Sequence, residues 1–174
     1  MFMCLGVISD THGDLSAWRR ALDVFGAVEQ LIHAGDVLSS ADDPLAAALR
    51  SSPILLRVVR GNTDSSVLSR LIGWPVQPFL QMRWHGRVIT AAHGDDFTDF
   101  RARSLALRAN LAITGHTHVA SIIRERGTIF LNPGSAALPK GRDPASVAVV
   151  SDEGVEILTL SGSRLAFEGW GPER

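Results

Sequence analysis

Seven side chains of metal-ligating type stand just after short apolar runs, and the chemistry of this 174-residue chain starts from that placement. Leu5 to Ser9 leads into Asp10-Thr11-His12, Gln30 to Ala34 into Gly35-Asp36, and Ile54 to Val59 into Gly61-Asn62-Thr63-Asp64. Further on, Arg87 to Ala92 is followed by His93-Gly94-Asp95, and Leu111 to Thr114 by Gly115-His116-Thr117-His118. Residues two apart in extended chain share a side, so Asp10 and His12 could reach one ion, and so could His116 and His118. Each motif alone has a plain structural reading: an aspartate caps a helix, Gly-Asn makes a turn, and His-x-His sits in an exposed loop. Together they supply three oxygen donors and four imidazoles at five strand ends, which is the donor set of a metal centre. Ligands of α/β sheets bind at the carboxyl ends of strands, so the five loops have a place to meet.

The elements that must position these residues follow from periodicity. Leu15, Trp18, Ala21, Leu22 and Phe25 are spaced for an amphipathic helix over Leu15 to Phe25, with Asp14 placed to cap it. Asp42-Asp43-Pro44 supplies an acidic cap and an early proline for a second helix through Leu49. Strands alternating with helices up to Val59 predict βαβ units and mainly parallel pairing. From Phe79 the rhythm changes. Phe79 to Trp84 and Arg87 to Ala92 flank His85-Gly86 as a hairpin, which opens a second sheet region. A helix over Phe97 to Ala109 comes next, then a strand over Leu111 to Thr114. Two more hairpins are predicted: Ser121 to Glu125 with Thr128 to Asn132, and Ala145 to Ser151 with Val155 to Leu160. With no repeat or linker, residues 1–174 read as one domain with its core at about 3–160. Residues 161–174 read as a loose tail anchored by Leu165, Phe167 and Trp170, a stretch that could also join copies into a homo-oligomer.

Composition excludes several classes. Seventeen basic and eighteen acidic residues give a net charge of -1, which argues against a broad nucleic-acid surface. The single cysteine, Cys4, excludes an internal disulfide framework and a zinc site built on cysteine pairs; it reads as a small core residue in the first strand. No apolar stretch approaches the ~20 residues of a membrane span, and the N-terminal run lacks a basic prelude and a cleavage site, so a soluble, cytoplasmic protein is expected.

The motifs Ser-Asp-Thr-His-Gly, Gly-Asp, Gly-Asn-x-Asp, His-Gly and Gly-His-Thr-His, in this order, resemble the calcineurin-like metallophosphoesterase superfamily. The short chain and Asn132-Pro133-Gly134-Ser135 are similar to its small YfcE-type phosphodiesterase branch. The resemblance implies a four-layer α/β/β/α sandwich with two mixed sheets and a dinuclear metal centre. On the family's pattern Asp10, His12 and His118 would hold one ion, Asn62, His93 and His116 the other, and Asp36 would bridge them. The implied reaction is hydrolysis of a small phosphodiester by a hydroxide bridging two divalent ions. Mixed oxygen and nitrogen donors suit Mn, Fe, Co, Ni or Zn, and the resemblance favours manganese.

Two departures from the pattern carry weight. Thr63 stands where many phosphatases of the superfamily place a histidine that protonates the leaving group, so no side-chain general acid is identified. Such a loss costs about two to four decades on poor leaving groups, which favours substrates whose leaving group needs little protonation. Asp95 stands where relatives show His-Gly-His; beside an anionic substrate it would pair with an arginine or contact a metal-bound water. Asn62, Thr63 and Asp95 are the expected substrate contacts, with Lys140 or Arg142 near a substrate phosphate. His33 reads as a packed core histidine and His85 as a solvated one. The competing functions are a phosphomonoesterase or nucleotide pyrophosphatase on the same centre, and a non-catalytic scaffold like the retromer subunit of this fold.

Overall fold

The computed structural model describes residues 4–171, so Met3 and 172–174 of the expected core and tail lie outside it. In chain order the elements are β1 (Leu5–Ile8), α1 (Leu15–Phe25), β2 (Gln30–His33), α2 (Pro44–Arg50), β3 (Leu55–Val59), α3 (Leu68–Ile72), β4 (Val76–Gln77) and β5 (Leu80–Trp84). They continue with β6 (Arg87–Ala91), α4 (Phe97–Ala106), β7 (Leu111–Ile113), β8 (Ala120–Glu125), β9 (Thr128–Pro133), β10 (Ser146–Val150), β11 (Gly154–Thr159) and β12 (Arg164–Gly169).

Both sheets are mixed. The first has the order β12-β11-β10-β1-β2-β3-β4, with β1 to β4 parallel and β10 to β12 antiparallel. The second has the order β5-β6-β7-β9-β8, with β6, β7 and β9 parallel and an antiparallel strand at each edge. Three apolar clusters divide the molecule into the four expected layers. Trp18, Phe25, Leu45 and Leu49 pack helices α1 and α2 on Ile8, Leu31 and Leu56 of the first sheet. Leu5, Val7 and Ile32 meet Ile89, Leu111, Ile113 and Ile129 between the sheets, while Phe100 of α4 covers Ala112 and Phe130 on the far side. Burial on both faces explains why β1 and β7 are continuous apolar runs. Removing a side chain from the middle layer, as in Leu111→Ala, should cost about 2–5 kcal/mol.

Local chemistry sets the ends of the elements. Asp14 Oδ1 accepts from Ala17 N at 2.9 Å and starts α1, as its position predicts. At two of the three predicted hairpin turns the two central residues have positive φ: His85 and Gly86 (46° and 79°), Arg126 and Gly127 (47° and 82°). A two-residue turn that continues the strand twist requires this. Several expectations need correction. Asp43 occupies the cap position of α2, but its carboxylate accepts from Ser39 N and Ser40 N instead of the helix. Helix α4 stops at Ala106, short of Ala109. Cys4 lies just before β1 and is only half-buried, where burial raises its thiol pKa. The stretch after Ser161 is a strand rather than a loose tail: β12 pairs with β11. Of the three expected anchors, Leu165 and Phe167 are exposed; Ala166 and Trp170 pack on the inter-sheet core, and Trp170 Nε1 donates to the Ser151 carbonyl at 2.8 Å. Among the described residues no helix is long and apolar enough to cross a membrane.

Candidate metal centre

All seven expected ligands gather where β1, β2, β3, β6 and β7 end. The loops are tied by backbone bonds from Asp10 N to the Gly35 carbonyl (3.0 Å), His12 N to the Asp36 carbonyl (3.0 Å) and Gly115 N to the His93 carbonyl (2.8 Å). Asp10, His12, Asp36 and His118 offer ligand atoms all within 4.8 Å of one another. His118 Nε2 is 3.1 Å from Asp10 Oδ1 and 3.4 Å from His12 Nε2, and His12 Nε2 is 3.8 Å from Asp36 Oδ2. A second group adjoins it through the same oxygen of Asp36, Oδ2. His93 Nε2 lies 3.4 Å from Asp36 Oδ2 and 3.3 Å from His116 Nδ1, which is 3.0 Å from Asn62 Oδ1.

The hydrogen bonds of the imidazoles fix which nitrogens face the centre. A carbonyl accepts only from N–H, so the 2.6 Å contact of His118 Nδ1 with the Leu138 carbonyl puts the proton on Nδ1 and leaves Nε2 as a lone pair. The Ala34 carbonyl, 2.8 Å from His93 Nδ1, likewise takes the Nδ1 proton of His93 and leaves Nε2 turned toward Asp36. The consequence is a convergence of acceptors. Asp10 Oδ1 is buried with no hydrogen-bond partner among the described residues, and a lone pair of His118 stands 3.1 Å away. Acceptor atoms packed this closely repel one another unless a cation or a proton lies between them, so the residues present fit a divalent ion. The remaining oxygen, Asp10 Oδ2, accepts from Ser9 Oγ at 2.5 Å and from His116 N at 3.2 Å.

The titration of the site follows from the same contacts. Burial pushes the Asp10 carboxyl up, against the Ser9 hydroxyl and the nearby imidazoles His93 and His118. Burial also works against the ionised form of Asp36, but hydrogen bonds from His93 and from Thr63 N (3.0 Å) outweigh it and hold this carboxyl well below the usual range. The same bond, together with the Ala34 carbonyl, carries His93 above its ordinary value despite burial.

Five of the seven expected ligands have positive φ without being glycine: Asp10 (54°), His12 (43°), Asp36 (54°), His116 (67°) and His118 (61°). Such residues cost of order 1–3 kcal/mol each and persist where the surroundings over-determine them. Nothing in the residue types announced this strain. Two glycines make the crowding feasible: a Cβ at Gly61 would fall on Asp36 Oδ1, and one at Gly115 on Ser9 Oγ.

Sequence reasoning named the motifs of three supporting residues but not the partners they hold. Asp64 Oδ2 accepts from Asp36 N (2.9 Å) and Gly61 N (2.8 Å), and its Oδ1 accepts from Val37 N (2.8 Å). The Asn132 amide donates to the Gly115 carbonyl (2.7 Å) and Thr117 Oγ1 (3.0 Å), and Ser135 Oγ donates to the Asp10 carbonyl (2.8 Å). The motifs Gly-Asn-x-Asp and Asn-Pro-Gly-Ser contained them, without a sign of which backbone they would meet. Asn62 and Thr63 are exposed at the mouth, as is Asp95, which forms no ion pair among the described residues. The backbone N–H of Lys140 donates to the His118 carbonyl at 3.0 Å, which brings that loop to the site's edge. His33 is fully buried and bonds to Thr11 Oγ1 and Gly35 N.

Residues 3–154 match the calcineurin-like phosphoesterase superfamily domain. The chain belongs to that superfamily. It is 31% identical to phosphodiesterase YfcE of Escherichia coli (strain K12), over 91% of this chain and 93% of that protein. The solved structure of Yfce, described as a phosphoesterase from E. coli, covers 97% of this chain and matches over its whole length with a TM-score of 0.81 at 26% identity. The fold is shared more widely. Vps29 from Entamoeba histolytica, solved in complex with Zn2+, superposes with a TM-score of 0.69 at 21% identity, covering 97% of this chain and 100% of that one. The YfcE relationship supports a phosphoester hydrolase; the Vps29 likeness extends to architecture alone.

Proposed function

We propose that this phosphoesterase is a metal-dependent phosphodiesterase with a dinuclear centre. Asp10, His12 and His118 would hold one ion, Asn62, His93 and His116 the other, and Asp36, whose Oδ2 faces both groups, would serve both. When bound, the ions supply Lewis acidity, bringing water near its neutral-pH ionisation and drawing off charge that develops on the phosphoryl oxygens. The donor set suits Mn, Fe, Co, Ni or Zn, and manganese is the ion we expect.

The chain's own residues do the rest. The Ala34 and Leu138 carbonyls hold His93 and His118 in one tautomer and orientation before any ion arrives. Asp64 holds the backbone that presents Asp36, while Asn132 and Ser135 hold the loops of His116 and Asp10. At the exposed mouth, Asn62, Thr63 and Asp95 would meet the substrate. Thr63, which carries no proton of useful acidity, leaves the departing oxygen unassisted, so diesters with acidic leaving groups are favoured over those that expel an alkoxide. A small phosphoester in the cytoplasm fits this open site.

The observation that carries the reading is the buried, unpaired Asp10 Oδ1 facing the His118 lone pair. Its test is hydrolysis of bis(p-nitrophenyl) phosphate by manganese-loaded protein, with p-nitrophenyl phosphate as the monoester comparison and His118→Ala as the site variant. We expect the diester to be preferred and the variant to lose at least a hundredfold. Turnover equal in the variant defeats this assignment of the site, and turnover absent with metal bound defeats the reading and leaves the non-catalytic scaffold.

A further inference from the structure

A cleft of about 180 Å³ lies between the N-terminal end of α4 and strands β8 and β9, and it begins where the metal-site loops end. Gly94, Gly115 and Thr117, the chain neighbours of His93, His116 and His118, line one side. Phe97, Ile123 and Phe130 line the other, with the rings of Phe97 and Phe130 edge to face at 6.0 Å between centroids. Two of these side chains remain in water: Ile123 is 62% exposed and Phe97 45%. Single exposed apolar residues are ordinary, but two flanking one cleft that adjoins a candidate catalytic centre mark a place prepared for an apolar group.

The lining also says what would not bind. None of the residues that border the cleft is charged. The Asn132 amide group is already committed, donating to Gly115 and Thr117 and accepting from Gly134 N at 2.9 Å. A second phosphate or an ammonium group would therefore lose water here and meet no opposite charge, only the hydroxyls of Thr114, Thr117 and Ser121. The cleft is also well below the roughly 300–1,000 Å³ that holds a whole drug-sized ligand, so it takes one ring and not a whole substrate.

We propose that this cleft receives an uncharged planar ring carried by an ester group of the substrate, while the phosphate occupies the metal centre. The ring packs on Ile123 and against the edges of Phe97 and Phe130, the geometry aromatic pairs prefer. This rests on the phosphodiesterase reading and names its substrate class: ring-bearing phosphodiesters, set apart from polyphosphates and simple alkyl esters. An aryl group and a nucleobase both present such a ring, at different distances from phosphorus.

The experiment is calorimetric binding to the manganese-loaded full chain of two matched pairs, phenylphosphonate with methylphosphonate and thymidine 5′-phosphate with 2-deoxyribose 5-phosphate. The ring-bearing member of at least one pair should bind about tenfold tighter, and the pair that shows it separates aryl from nucleobase. Ile123→Asp and Phe97→Ser, exposed positions on different elements, should each bring that ratio to within about twofold of one. Equal binding within both pairs, including no binding by any member, overturns the inference, and so does a ring preference that survives both variants. Diester hydrolysis is scored separately: turnover without ring preference defeats this inference alone, whereas absence of turnover defeats the phosphodiesterase reading beneath it.

Discussion

The carboxylate of Asp64 accepts the backbone N–H of Asp36 at 2.9 Å, so one acidic residue holds the main chain of another whose side chain lies between the two halves of the centre. The same carboxylate also takes Gly61 N and Val37 N, and thereby clamps the β2 and β3 loops together. An asparagine of the same shape offers one acceptor oxygen and turns an NH2 toward the remaining donors. Asp64→Asn should thus weaken manganese binding about 10- to 100-fold and cost roughly 1–3 kcal/mol of stability. Calorimetric titration and urea unfolding of the metal-free protein measure the two effects. Unchanged metal affinity at reduced stability would leave Asp64 a fold residue only.

His33 supplies a pH test. Thr11 Oγ1 donates to the Val37 carbonyl (2.8 Å), so it must accept from His33 Nε2–H (2.9 Å), while His33 Nδ1 accepts from Gly35 N (3.3 Å). Both nitrogens of the neutral ring are used. Burial, with the nearby His93 imidazole, pushes its pKa from 6.5 down to about 3. Because the folded value is depressed, the unfolded chain takes up a proton first as pH falls; the stabilisation is complete above 6.5 and drains away between 6.5 and 3. Relative to His33→Gln, the wild type should lose roughly 1.4 kcal/mol by pH 5.5, read from urea unfolding at pH 7.5, 6.5 and 5.5. A difference that does not change with pH would contradict this account.

The end of the chain offers a third prediction. Strand β12 covers the edge of β11, and Trp170 packs on the core beneath a cation–π contact from Arg87, 4.4 Å from the ring centroid. Ending the chain after Leu160 would bare the unpaired edge of β11, a strand with Val155 and Ile157 fully buried. An exposed edge of this kind templates pairing with other chains. The truncated protein should aggregate at concentrations where the full chain stays in solution, as light scattering would report; a monodisperse truncation counts against it.

These cases show what was legible in the residues and what was not. The ligand loops could be read because each apolar run halts at a donor, and the ends of the parallel strands of the two sheets meet at one edge of the sandwich. The layers could be read because helical and strand periods differ. Strand β12 was hidden because its outward residues, Leu165 and Phe167, are the apolar ones, and small Ala166 faces the core. Helix α3 and strand β4 are too short to establish a period. The partners that orient the ligands, Leu138 for His118 and Asp64 for Asp36, bond through backbone groups 20 and 28 residues away. Residue type carries no trace of such pairings.

Backbone strain at the ligands sets function against stability. His12 sits at φ 43° with its side chain only partly buried, so a replacement there reports mainly on the backbone. Glycine adopts that conformation freely, and alanine does not. In the metal-free protein His12→Gly should be more stable than His12→Ala by about 1 kcal/mol in urea unfolding, while both bind manganese more weakly than wild type. Equal stability of the two variants would mean that the strain is relieved elsewhere.

The division of ligands makes the sharpest demand on the dinuclear reading. Asp36 Oδ2 lies 3.8 Å from His12 Nε2 in one group and 3.4 Å from His93 Nε2 in the other, whereas Asn62 touches only His116. A bridging carboxylate that is lost should release both ions, because neither site keeps its anionic neighbour on that side and the two cations would face each other unscreened. Loss of the neutral Asn62 oxygen takes one donor from a single site. Metal analysis after dialysis against micromolar manganese should therefore find about two ions per chain in wild type, about one in Asn62→Ala, and close to none in Asp36→Ala. Unfolding curves of the metal-free proteins separate this from a folding defect, since Asp36→Ala also removes the φ 54° aspartate without leaving a buried charge. If Asn62→Ala loses both ions, the sites fill as one cooperative unit. If Asp36→Ala keeps one, Asp36 serves a single ion and the bridge must be sought elsewhere.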